Sequence, residues 1–203
     1  MNLPTKLTFL RIVMIPVFVA LFFIPFPYHC VAATAVFVLA SITDFLDGYL
    51  ARKNNMVTDL GKFLDPIADK MLVACAIFAI VAILYSGETY EYANDFALWL
   101  KIPTVVCAML ILCRELFISG FRIVASSKNV VLAADKLGKI KTVLQMCALI
   151  ILLPVPDIYD NCSIVLVGDC FMYVGLILFA LSAIMAVVSG INYIVKYKEV
   201  LKG

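Results

Sequence analysis

The sequence predicts an all-α fold, an integral membrane bundle of six transmembrane helices with a short N-terminal amphipathic segment. Three observations carry this expectation. Of 203 residues, 65% are hydrophobic and 15% charged, and the mean hydropathy is +1.07, far outside soluble composition. Apolar runs of roughly 18 residues or more, the length a helix needs to cross a bilayer, recur six times. Short polar connections separate them with no repeat or low-complexity tract, so 1–203 reads as one membrane domain.

The elements follow in order. MNLPTKLTFLR reads as an amphipathic lead-in with Asn2 and Thr5 as caps and Pro4 early in a turn; a plain helix start anchored by Lys6 fits the same residues. The first span is expected at 7–25. Lys6 and Arg11 before an apolar run mimic a secretory signal, but Pro25, Phe26, Pro27 and Tyr28 follow where a small-residue cleavage site would stand, so the helix is expected to be retained. The second and third spans, 31–52 and 62–86, flank RKNNMVTD, where Asn54, Asn55, Thr58 and Asp59 supply turn and cap chemistry. The remaining spans are expected at 97–123, 139–156 and 169–195, with longer connections at 124–138 and 157–168.

Charge gives the orientation. With a cytoplasmic N-terminus, fifteen of the sixteen Lys and Arg residues fall at inner ends or loops and only Lys101 lies in the outer half. The outer side then holds Glu88, Glu91, Asp95, Asp157, Asp160 and Asp169. Six spans put both termini in the cytoplasm. Membrane lipids are the expected partners, with no nucleic acid. The seven cysteines show no metal or redox spacing and read as small hydrophobes; Cys162 and Cys170 both fall outside, without evidence of pairing. His29, in the outer turn PFPYHC, reads as an interfacial residue, and Trp99 with Tyr90 and Tyr92 as an aromatic belt.

The chemistry concentrates in TDFLDGYLARKNNMVTDLGKFLDPIADK. Asp44 and Asp47 lie one turn apart on the second helix, Asp65 and Asp69 one turn apart on the third, so each pair shares a helix side. Ionisable groups in such segments are functional by default. Gly48 and Gly61 lie on the same stripes, and small residues let membrane helices approach closely. Hard cations such as Mg²⁺ or Mn²⁺ take carboxylate oxygens, and four carboxylates suit two ions about 3.5–4 Å apart, which can clamp attacking and leaving oxygens at phosphorus. Arg52, one turn beyond Gly48, adds a donor fork matched to phosphate. Metal plus arginine at an inner membrane face points to a diphosphate.

The pattern D-x2-D-G-x2-A-R-x8-G-x3-D-x3-D from Asp44 to Asp69 resembles, at every specified position, the signature of CDP-alcohol phosphotransferases, membrane enzymes that displace CMP from a CDP-linked lipid or alcohol. The resemblance implies that Asp44, Asp47, Asp65 and Asp69 hold a two-metal centre of Mg²⁺ or Mn²⁺, that Asp69 deprotonates the acceptor hydroxyl, and that Gly48, Arg52, Thr58 and Gly61 contact or make room for the CDP moiety. NLPTKLTFLR, RELFISGFR at 114–122 and GKIKT at 138–142 are similar to the bacterial phosphatidylglycerophosphate synthase branch, although Thr5 stands where many members carry asparagine. That branch implies CDP-diacylglycerol and sn-glycerol 3-phosphate as substrates, a homodimer, and a bacterial cell membrane.

A dianionic acceptor needs a cationic site. Arg114, Arg122, Lys139 and Lys141, with Lys136 nearby, form the candidate group; the topology rule and attraction to anionic headgroups account for the same lysines. Glu115 and Arg122, seven residues apart, share a face and are expected to pair if part of this group is structural. The rival within enzymes is the same chemistry on inositol phosphate, serine or phosphatidylglycerol. A cation transporter also places carboxylates in spans, but its site belongs near the midplane on broken helices; a purely structural scaffold would bury carboxylates at high cost.

Overall fold

A computed structural model describes residues 3–54, 59–85, 98–127, 136–161 and 165–197. They form seven helices: α1 (Leu3–Phe23), α2 (His29–Asn54), α3 (Asp59–Tyr85), α4 (Leu98–Ser127), α5 (Lys136–Leu152), α6 (Val155–Asn161) and α7 (Val165–Lys196). The described residues contain no strand. Four stretches are long and apolar enough to cross a membrane, Ile67–Tyr85, Leu100–Ile123, Leu137–Asn161 and Leu166–Lys196, and Thr8–Phe23 and His29–Thr43 are shorter apolar helices. The chain is thus a multi-pass, all-α membrane protein. Large exposed side chains such as Phe78, Met109, Ile123 and Leu166 suit a lipid solvent, not water.

Two refinements follow from local chemistry. The N-terminal lead-in has no break from the first span, since α1 runs continuously from Leu3 with Pro4 in its first turn, where a missing N–H costs nothing. At the other end, a short helix α6 runs across the end of the expected fifth span into the expected 157–168 connection, and its first turn carries Asp157, an acid at the helix end that favours negative charge. It follows a turn at Leu153 and Pro154, and proline is disfavoured inside a helix because it removes an N–H and crowds the preceding turn.

The chain divides into two compact units, Met1–Ile83 with Ile150–Phe171, and Leu84–Leu149 with Met172–Gly203. In the first, α1 and α2 pack along their lengths. The buried stripe Thr8, Arg11, Ile15, Phe18 and Phe22 on α1 recurs every three or four residues, and Phe18 meets Phe37 of α2 with ring centroids 6.0 Å apart. Tyr159 of α6 donates a 2.6 Å hydrogen bond to Asp169 Oδ1 of α7. In the second unit, Ile118 and Phe121 of α4 pack with Tyr193 of α7, the two rings edge to face at 5.7 Å.

Candidate active site

The acidic motif spans the end of α2 and the start of α3. Asp44, Asp47, Gly48 and Arg52 lie within the unbroken helix His29–Asn54, and Gly61, Asp65 and Asp69 within Asp59–Tyr85. Helix geometry therefore puts each acidic pair one turn apart, as the spacing requires. Among these residues the described side chains reduce to that of Asp69, which is exposed and flanked by buried Ala68 and Leu72. Asp69 thus stands at the margin of the packed stripe of α3, where a solute can reach it. Thr58, and the side chains of Asp44, Asp47, Gly48, Arg52, Gly61 and Asp65, lie outside what is described. Helix α2 is described to Asn54 and α3 from Asp59; the expected turn residues Asn55 and Thr58 lie outside the described residues.

One charged neighbour escaped sequence reasoning. Arg11 is completely buried and is not without an interaction partner. Because α1 and α2 run antiparallel with Phe18 against Phe37, equal steps back along α1 and forward along α2, at about 1.5 Å per residue, bring the Arg11 backbone level with Asp44. A lone arginine followed by an apolar run reads as a membrane-face anchor; its depth in the packing depends on a helix pairing that periodicity does not specify.

The basic residues belong to the second unit. Arg114 of α4 donates from Nη2 to Ser189 Oγ of α7 at 2.9 Å. It passes two glycines: a Cβ on Gly138 of α5 would sit 3.4 Å from Nη2, and one on Gly190 of α7 would sit 3.3 Å from Cγ. The closer approach is at Gly190, against the stem of the side chain, while the spacing at Gly138 is ordinary van der Waals contact. Lys141 of α5 is fully buried and forms an ion pair with Glu115 of α4. The expected Glu115–Arg122 pairing is replaced by this one, because α5 brings an ammonium directly to the carboxylate, whereas Arg122 is exposed and lies over the Tyr193 ring at 5.9 Å. Lys139 is exposed at the start of α5. Lys141 is thus held inside the protein and Arg114 is half-buried, while Arg122 and Lys139 are on the surface.

Cys30, Cys75, Cys107, Cys113, Cys147 and Cys170 are free thiols; Cys162 lies outside the described residues. Sequence reading also set His29 aside, yet it stands beside Cys30 and Asp157, three ligand-bearing atoms within 4.8 Å of one another.

Comparison with known proteins agrees with the motif. A family model described as CDP-alcohol phosphatidyltransferase matches residues 1–188. The chain is 39% identical over 192 residues to a protein of Rickettsia bellii (strain RML369-C), covering 95% of this chain and 93% of the relative. It is 35% identical over 184 residues to one of Wigglesworthia glossinidia brevipalpis, covering 90% and 91%, and 35% identical over 195 residues to one of Shigella flexneri, covering 95% and 93%. Each of these is named CDP-diacylglycerol–glycerol-3-phosphate 3-phosphatidyltransferase. With the match running from the first helix into the last and embracing the whole acidic motif, the chain belongs to the CDP-alcohol phosphatidyltransferase family.

Proposed function

We propose that this protein transfers the phosphatidyl group of CDP-diacylglycerol to sn-glycerol 3-phosphate, releasing CMP and forming phosphatidylglycerol phosphate. The observation that carries the reading is the near full-length similarity to relatives named for this reaction, in a chain whose four motif aspartates lie as two one-turn pairs on α2 and α3.

The donor set is all carboxylate, which fits Mg²⁺ or Mn²⁺; Asp44, Asp47, Asp65 and Asp69 would hold two such ions. When bound, they supply charge neutralisation at the diphosphate and stabilise the departing CMP oxygen. The chain's own residues do the rest. Asp69 accepts the proton of the acceptor's primary hydroxyl, and its exposure leaves it open to a substrate. The hydroxyl oxygen forms a bond to the diacylglycerol-bearing phosphorus as the bond to CMP breaks, CMP taking the electron pair. Gly48, Arg52, Thr58 and Gly61 are assigned to the CDP moiety, Arg52 as the phosphate fork.

For the acceptor phosphate, the assigned group is Arg114, Arg122, Lys139 and Lys141. Lys141, buried against Glu115, contributes from the interior, while Arg122 and Lys139 offer exposed donors. The basic-residue bias assigns this chemistry to the cytoplasmic face with both termini cytoplasmic, in a homodimer in a bacterial cell membrane.

The test is CMP release by the purified chain with CDP-diacylglycerol and a panel of acceptors. Glycerol 3-phosphate is expected to support turnover far above inositol phosphate, serine or phosphatidylglycerol, chelation to abolish it, and Mg²⁺ or Mn²⁺ to restore it. Asp69→Asn should stay folded and lose roughly 10²–10⁴-fold in rate, the worth of a general base. Full turnover in that variant removes the base assignment; preference for another acceptor removes the substrate assignment.

A further inference from the structure

On the buried side of α5 we propose a specificity-determining residue, Gln145, whose side-chain amide reads the secondary hydroxyl of the acceptor. The inference rests on the proposed transfer to glycerol 3-phosphate and deepens it, since that reading assigns cations to the acceptor phosphate and no residue to the rest of the acceptor.

Gly138, Lys141 and Gln145 fall at intervals of three and four along α5, so they share one side of the helix. That side meets α4. Arg114 Nη2 lies 3.4 Å from where a Gly138 Cβ would stand, and the Lys141 ammonium holds the Glu115 carboxylate. Lys141 is fully buried and Gln145 only 2% exposed, whereas Thr142 and Val143, off the stripe, are exposed. All these residues belong to the second compact unit.

Gln145 is the member of this stripe without an internal task. Its Nε2 is buried and has no hydrogen-bond partner, although buried polar side chains are nearly always bonded and an orphan donor is costly to keep. An apolar side chain of the same length would fill the space without that cost. The other polar groups of the cluster are engaged: Lys141 with Glu115, Arg114 with Ser189 Oγ at 2.9 Å, and Ser189 in turn with the Ala186 carbonyl at 3.1 Å. The amide is thus a preformed donor, dry and aimed along the same stripe as the cations assigned to the acceptor.

The chemistry selects a hydroxyl. A carboxamide both donates and accepts, as a hydroxyl does, and it carries no charge to match a phosphate dianion, which belongs on lysine and arginine. Gln145 lies four residues beyond Lys141, about 6 Å of helix, a spacing comparable with the reach of a three-carbon phosphate ester from its phosphate to its middle hydroxyl. The cluster reaches the surface at Glu115, whose side chain is 25% exposed, so an acceptor enters there and its phosphate replaces the Glu115 carboxylate at the Lys141 ammonium. Because the amide gives up no bond to water when the hydroxyl arrives, it discriminates more strongly than an exposed group would.

Selectivity between two acceptors is the test. The full chain, purified in detergent, is given CDP-diacylglycerol and either sn-glycerol 3-phosphate or 3-hydroxypropyl phosphate, which keeps the primary hydroxyl and the phosphate and lacks the secondary hydroxyl. Wild type is expected to favour glycerol 3-phosphate by roughly 10- to 100-fold in kcat/KM. In Gln145→Met the ratio should fall to about twofold or less, and in Gln145→Asn, which keeps the amide but shortens its reach, to an intermediate value. A glutamine with a merely structural role would lower turnover of both acceptors alike and leave the ratio at its wild-type value, and that result overturns the proposal. A wild-type ratio near one overturns it without any variant. If Gln145→Met does not fold, Gln145→Asn decides, since a wild-type ratio there overturns the assignment equally. Failure of the wild type to use glycerol 3-phosphate at all removes the transfer reading and this inference together, whereas full turnover with an unchanged ratio in the variants removes only the role of Gln145.

Discussion

Arg122 carries the acceptor assignment most exposed to refutation, because its guanidinium is at the surface over Tyr193 and has no ion pair among the described residues. A hydrogen bond to a charged group contributes about 1.5–3 kcal/mol. Arg122→Ala is accordingly expected to raise the KM for glycerol 3-phosphate roughly 10- to 100-fold while leaving the KM for CDP-diacylglycerol within about twofold. Equal changes in both would mark the arginine as structural. Gly168 poses a purely steric question. A Cβ there would stand 2.6 Å from Tyr159 Cε1, and that ring is held by its hydroxyl on Asp169. Gly168→Ala is expected to destabilise by about 1–3 kcal/mol, as overpacking does, read as a lowered Tm in detergent; an unchanged Tm would mean that the Tyr159 ring yields freely. At this scale the sequence was informative about residue type and poor about company. The aspartate spacing singled out the groups proposed to react, but for Glu115 the spacing suggested Arg122, and only the arrival of α5 selected Lys141.

The Lys141–Glu115 pair joins α4 to α5, so its energetics belong to the helices and not to either side chain alone. Removing one partner of a buried pair costs roughly 3–5 kcal/mol, whereas replacing both with apolar groups of similar volume is often neutral or stabilising. The Glu115 side chain is 25% exposed, so solvent softens the loss. Lys141→Ala is expected to cost about 3 kcal/mol, and Lys141→Met with Glu115→Leu to recover most of it, measured by thermal unfolding in detergent. Additive losses in the double variant would show that the pair is not coupled. Helix positions were mostly legible because long apolar runs have few alternatives in lipid, where every backbone group must be satisfied internally. Helix α6 was not, since seven residues leave too short a periodicity to distinguish from a loop. Its existence rests on contacts: Asp157 reaching the start of α2 and Tyr159 reaching α7.

For the whole molecule, the exposed apolar side chains and the four helices of spanning length predict that the protein stays in the membrane pellet through an alkaline carbonate wash. Release into the supernatant would contradict a multi-pass protein. Topology reporters fused at each end are expected to report both termini in the cytoplasm, as the distribution of sixteen basic residues requires; opposite sides would mean an odd number of crossings.

The chain alone determined the solvent it folds in and the class of fold, and it singled out the carboxylates proposed to react, because hydropathy and one-turn spacing are local properties that survive without tertiary detail. Only the three-dimensional arrangement decided which charges are interior and what they meet. Arg11 and Lys141 are both completely buried, although each reads in sequence as a membrane-face cation. His29 and Cys30 gain Asp157 from more than a hundred residues away. Such encounters depend on which helix face meets which neighbour, a long-range packing outcome that periodicity along one helix does not encode.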